Sequence, residues 1–228
     1  RVFSEEKWQK KLDIYFKDLD ITFKIHFEKY VSKIVLFCSK ELHCLIDIIG
    51  QIENKELNAD IEAVIANHPE AKHICNSFNI PFEYISEKNK SKKQYEDEMF
   101  KRLEDYSYEC IGLAKYMQIL SASFLKKVDV PIINIHHSFL PAFVGANPYR
   151  QAYNKGVKLI GATAHYVTET LDDGPIITQE VTPVTHSYSI NDLKKRGYSI
   201  EKKVFSDALN KHINNKIAIN NKRTIIFH

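Results

Sequence analysis

Short apolar runs alternate with segments of helical spacing over most of the chain. KIVLFC (33–38) is almost continuously apolar, as a strand covered on both faces requires. LIDIIGQI (45–52) follows at helical intervals, and IEAVIAN (61–67) reads as a second buried strand. A short helix over 71–78, a strand at PFEYI (81–85) and a charged helix with Tyr95, Met99 and Leu103 on one face come next. CIGLA (110–114), a short helix near 122–127 and IINIHH (132–137) complete the series. Strands alternating with helices predict right-handed βαβ units, hence an α/β fold on an open, mostly parallel, Rossmann-like sheet.

The pattern changes at both ends. Ser4 with Glu5 and Glu6 predicts a helix start, and Trp8, Leu12 and Phe16 then share one helical face. ITFKIHF (21–27) alternates like a half-buried strand. About thirty residues bury no core alone, so 1–31 reads as a partial α+β segment and 32–228 as the main domain. After Pro148, LIGATAHYVT (159–168) and PIITQEVTPV (175–184) predict two strands joined through Asp172, Asp173 and Gly174, an antiparallel pair appended to the parallel sheet. Ile190–Ile213 predicts a long amphipathic helix, and KRTIIFH closes with strand character.

Composition narrows the function classes. The 228 residues are 44% hydrophobic and 27% charged, values of an ordinary folded domain. Thirty-two basic against 29 acidic side chains leave +3, which argues against a nucleic-acid partner. No apolar run approaches the roughly 18 residues of a membrane span. Cys38, Cys44, Cys75 and Cys110 are scattered without a C-x-x-C pair, which points to reduced thiols in a cytoplasmic protein and away from a zinc knuckle. The opening Arg-Val-Phe-Ser-Glu-Glu has no signal-peptide character.

Ligands of open α/β sheets bind beyond the carboxyl ends of the strands, which directs attention to NIHHS after β-like PII and to LAKYMQILS after CIGLA. Asn134 and His136 alternate by two, so on a continuing strand an amide donor and an imidazole share one face. The dipeptide alone fits better a strand end with a histidine satisfying local backbone. Asp172 and Asp173 suit a turn, yet a carboxylate beside His136 would also favour its imidazolium. The first βα turn, CSKELHCL, holds no glycine, so no G-x-G-x-x-G or P-loop cradles a diphosphate there. His136, His137 and His165 are a weak candidate metal set, and no metal is expected.

Together, NIHHSFLPAFVGANPY, GATAHYVTETLDDGPIITQ and LAKYMQILS resemble the folate-dependent formyl-group enzymes. The double histidine, the SFLPAFVGA continuation, SKELHCL and the terminal KRTIIF resemble most the formyltetrahydrofolate deformylases of that superfamily, from about Lys33 to the end. The resemblance implies a parallel-sheet formyltransferase domain with catalytic Asn134, His136 and Asp172. It implies a folate lying against Met117, Gln118, Ile119, Leu120 and Ile132, with Val167, Thr168 and Leu171 on the opposing loop and His137 beside them. The implied reaction is hydrolysis of 10-formyltetrahydrofolate to formate and tetrahydrofolate, with folate as the small-molecule partner and no cofactor required. It also implies that 1–31 is the second half of an ACT-type regulatory domain, through which a homo-oligomer would form. The alternative is a phosphoribosylglycinamide (or other amine) formyltransferase; the glycine-free SKELHCL disfavours it, while Lys40 and His43 keep anion binding open.

Overall fold

Alternation along one strand sets the two layers of the core. In strand β1 (Ser32–Cys38), Ile34, Leu36 and Cys38 point to one side and Val35 and Phe37 to the other, and all five are fully buried. In the computed structural model, which describes residues 5–19, 25, 30–141 and 147–228, the first side is covered by α2 (His43–Glu53) and by the long α7 (Ile190–Ile213). The second side is covered by α4 (Lys92–Leu103), through Tyr95, Met99 and Leu103, and by α5 (Ala122–Lys127), through Phe124.

The other strands are β2 (Ala59–Ala66), β3 (Phe82–Tyr84), β4 (Cys110–Ala114), β5 (Ile132–His136), β6 (Leu159–Tyr166) and β7 (Ile176–Pro183). Their order in the seven-stranded sheet is β3-β2-β1-β4-β5-β6-β7. The first five are parallel, whereas β6 runs antiparallel to β5 and β7 antiparallel to β6. The predicted parallel sheet with an appended antiparallel pair is therefore the observed one. Because β1 pairs with both β2 and β4, the strand order reverses there, which is where such sheets open a crevice.

Three elements add to the sequence reading. The helix expected over 71–78 is a 3₁₀ turn, Pro69–Ala71, running into α3 (Lys72–Ser77). A helix α6 (Pro148–Lys155) stands where none was expected, with Pro148 at its first turn and Gly156 ending it at φ 63. That Pro-first, Gly-last punctuation is a helix signature, and it was legible. Finally, KRTIIFH forms β9 (Arg223–Ile226), paired with β8 (Ile217–Asn220) in a separate hairpin.

The chain divides into two compact units, Arg1–Tyr30 and Val31–His228. In the first, α1 (Glu5–Phe16) forms as the Trp8–Leu12–Phe16 spacing predicts, with Gln9 donating to Asp13 at 3.3 Å. The strand expected at 21–27 lies, but for residue 25, outside the described residues, as does most of PAFVGA. Among the described residues, no helix is long and apolar enough to cross a membrane.

Candidate active site

On β5, Ile133 and Ile135 pack into the layer beneath α7, so Asn134 and His136 face the opposite side. Leu113 of β4 and His165 of β6 stand in register with Asn134 and share that face. These side chains line a cavity of about 300 Å3, closed by the β4 exit, 115–120, and the β6–β7 connection, 167–172.

The 115–120 wall and the chain after His136 are pinned by polar contacts. Met117 N–H donates to the Ser39 hydroxyl at 3.0 Å, which in turn donates to Asn67 at 2.8 Å, tying the ends of β1, β2 and β4 together. The Tyr116 hydroxyl meets that of Tyr95 at 2.6 Å, and Glu96 accepts from Ser121 N–H at 2.7 Å. The chain after His136 is held by Thr163, whose hydroxyl donates to the Ser138 carbonyl at 2.9 Å and accepts from Leu140 N–H at 3.1 Å and Gln179 at 3.0 Å. Loops anchored in this way can hold reacting groups at fixed separations.

Asp172 is the hub. Its Oδ2 lies 3.3 Å from His136 Nδ1 and its Oδ1 lies 3.7 Å from His165 Nε2. The residue sits at φ 54, in the left-handed region that aspartate tolerates better than most side chains. His136 and His165 together hold its carboxyl far below the ordinary carboxylate range, against the opposing effect of burial. The Nδ1–H of His165 donates to the Tyr166 carbonyl at 2.9 Å, and its Nε2 stands 3.3 Å from the Asn134 amide nitrogen and 3.7 Å from Asp172 Oδ1, accepting from the amide as a neutral ring or donating to the carboxylate as a charged one. An imidazole therefore stands between the amide and the carboxylate.

His136 has its Nδ1 on Asp172, while its Nε2 is buried with no hydrogen-bond partner among the described residues. Buried polar atoms are rarely left so, and a site that takes a polar ligand atom is a place where they are. The His137 ring stacks on that of His136 at 5.4 Å, and burial together with the nearby Lys115 ammonium pushes its pKa down to about 4.

The structure gathers Asn134, His136 and Asp172 around one cavity, with Met117, Gln118, Ile119, Leu120, His137, Val167, Thr168 and Leu171 on its walls. Ile132 is the exception. It is buried in the layer beneath α4 and α5 and borders a separate groove with Leu125, Val130 and His212. The sequence alone marks His165 only as a strand neighbour and weak metal ligand. Its register opposite Asn134 gives it a place here, and that register was readable only once the β5–β6 pairing was known.

Among the described residues, the donors close enough to share one ion are His43, Cys44 and Glu201, not the site histidines. Burial and Glu201 push the Cys44 thiol well above its ordinary pKa, and the Lys115 ammonium already lies 3.2 Å from Glu201. A protonated thiol and a competing cation do not make a metal-ligand set.

Residues 32–209 match the formyl transferase family model. The chain belongs to the formyl transferase family. A formyltetrahydrofolate deformylase of Bacillus subtilis is 43% identical over 209 residues, 92% of this chain and 70% of that protein. One from Escherichia coli K12 is 43% identical over 194 residues, 85% of this chain and 69% of its own length. Among solved structures, a formyltetrahydrofolate deformylase from Pseudomonas syringae pv. tomato superposes with a TM-score of 0.94 at 35% identity, covering 99% of this chain and 76% of that one. A glycinamide ribonucleotide transformylase 1 from Symbiobacterium toebii gives 0.83 at 25% identity, covering 90% and 99%. The formyl transferase fold expected from the motifs is the observed one, and the similarity is greater to these hydrolases than to that transferase.

Proposed function

We propose that the chain hydrolyses 10-formyltetrahydrofolate to formate and tetrahydrofolate, with Asn134, His136 and Asp172 as its catalytic residues. The observation that carries this reading is the Asn134 amide and the His136 ring at one cavity, with the Asp172 carboxylate on His136 Nδ1 and its Nε2 buried without a hydrogen-bond partner among the described residues. The names of the curated relatives supply the substrate class.

The pterin lies between 117–120 and the loop Val167–Leu171, bringing its formyl group to the cavity floor. The formyl oxygen accepts from Asn134 Nδ2–H and from Nε2–H of His136, whose other ring nitrogen, Nδ1, donates to the Asp172 carboxylate. Water attacks the formyl carbon and its proton passes to Asp172. One preorganised oxyanion donor is worth about 3–4 kcal/mol in a comparable site. Collapse of the tetrahedral adduct breaks the carbon–N10 bond, and N10 takes up the proton. Two hydrogen-bond donors activate the amide in this scheme, so it requires no cofactor.

The product assigns the protein to one-carbon metabolism, as a cytoplasmic source of formate for purine biosynthesis that balances folate pools. Residues 1–31 fit part of an ACT-type regulatory segment preceding a catalytic domain over 32–228, through which the chain would self-associate.

The test is formate release from purified protein given 10-formyltetrahydrofolate alone. Release without an amine supports hydrolysis; turnover only after a phosphoribosyl amine is added makes the protein a transferase.

A further inference from the structure

A second cavity, of about 440 Å3, adjoins the first at the reversal of strand order and shares Lys115, Met117, Gln118 and His137 with it. Lys115 directly follows β4. It stands at φ 62, in the left-handed region, and its side chain is only 2% exposed. Its ammonium lies 3.2 Å from Glu201 Oε2 and 3.6 Å from Glu41 Oε2.

Glu201, on α7, is fully buried and gripped from three sides. Besides Lys115, His43 Nε2 lies 2.8 Å from its Oε2, and the Tyr149 hydroxyl donates to its Oε1. His43 is itself stacked on Tyr198 at 4.1 Å. A lysine on a left-handed backbone and an ion pair this deep both cost stability, where an apolar residue or a glycine would cost less. The arrangement fixes a long side chain at one place, on the boundary between two cavities.

We infer that Lys115, clamped by Glu201, determines the nucleophile: its side chain is the wall that keeps any amine in the second cavity from the formyl carbon, leaving water alone with access. This deepens the hydrolase reading and rests on it. With the wall removed, an amine nitrogen forms the bond to the formyl carbon and the carbon–N10 bond breaks. The proton lost by that amine passes by way of Asp172 to N10, so no further reactant is needed.

The experiment gives wild type and Lys115→Gly the same 10-formyltetrahydrofolate, with and without glycinamide, and quantifies formate and formylglycinamide. Wild type yields formate with formylglycinamide no higher than the detection limit, whereas Lys115→Gly diverts to the amine a share roughly tenfold or more above that limit. Lys115→Met restores length without charge and returns the product to formate. Because Lys115→Gly leaves a buried carboxylate without its cation, the double variant Lys115→Gly/Glu201→Gln is measured alongside and shows the same diversion. An unchanged product ratio in the folded variants, or a Met variant as permissive as Gly, overturns the inference. Absence of formate from wild type without an amine overturns the hydrolase reading instead.

Discussion

His136 Nδ1 and Asp172 Oδ2 lie 3.3 Å apart, although they come from a strand end and from a loop beyond the next strand. The contact occupies Nδ1 and leaves Nε2, among the described residues, without a hydrogen-bond partner. Replacing Asp172 by Asn keeps the shape and removes the charge. Turnover is expected to fall by about a thousandfold while tetrahydrofolate binding changes little, because the lost interaction belongs to the transition state. Steady-state kinetics with a parallel binding titration check this.

The same carboxylate predicts a pH effect on stability. Its pKa is lowered in the folded protein by His136 and His165, so its contribution is full above the unfolded value of about 4 and fades as the pH falls further. The difference in Tm between wild type and Asp172→Asn should therefore shrink below pH about 4.

His137 acts in a neighbouring window. Its folded pKa is depressed to about 4 against an ordinary 6.5, so between those values the unfolded chain binds more protons and stability falls as the pH drops. His137→Asn cannot titrate. From pH 7 to 4.5, roughly the span between the two values, wild type should lose more Tm than this variant.

Gly197 reverses an expectation from helix propensity. Alanine in a helix interior is ordinarily favoured over glycine by about 1 kcal/mol. Here a Cβ would stand 1.9 Å from the Tyr149 hydroxyl oxygen, so the Tyr149 ring, whose hydroxyl donates to Glu201, has to shift. Gly197→Ala should destabilise by about 1–3 kcal/mol, read by denaturant unfolding.

Thr163 gives a further test of how the site is held. Thr163→Val removes the hydroxyl that accepts from Leu140 N–H and donates to the Ser138 carbonyl. With the Leu140 N–H deprived of this acceptor near the site, a loss of about 1–3 kcal/mol is expected. Turnover should fall as well, because the chain following His136 loses its anchor.

The sheet was readable because burial writes itself into a strand: IVLF and CIGLA have no polar position, as two covered faces require. The Asn134–His136 pairing was likewise legible, since a period of two fixes a common face. What resisted was everything dependent on how remote segments meet. Asp172 reaches His136 through the 167–172 loop, a path that nothing local in ETLDDG encodes: the motif resemblance, not the spacing, joins the two. The Lys115–Glu201 pair joins positions far apart in sequence. Lysine and glutamate read ordinarily as solvated, so neither drew notice. Ile132 shows the converse: alternation gave its face correctly, while the covering helices decided that it faces core and groove rather than the cavity.

The most direct measurement is a single turnover of 10-formyltetrahydrofolate in ¹⁸O-enriched water with no amine present. Hydrolysis at this site predicts formate carrying one solvent oxygen, released in step with tetrahydrofolate. Formate that appears only once an amine acceptor is supplied, or none at all, would contradict it.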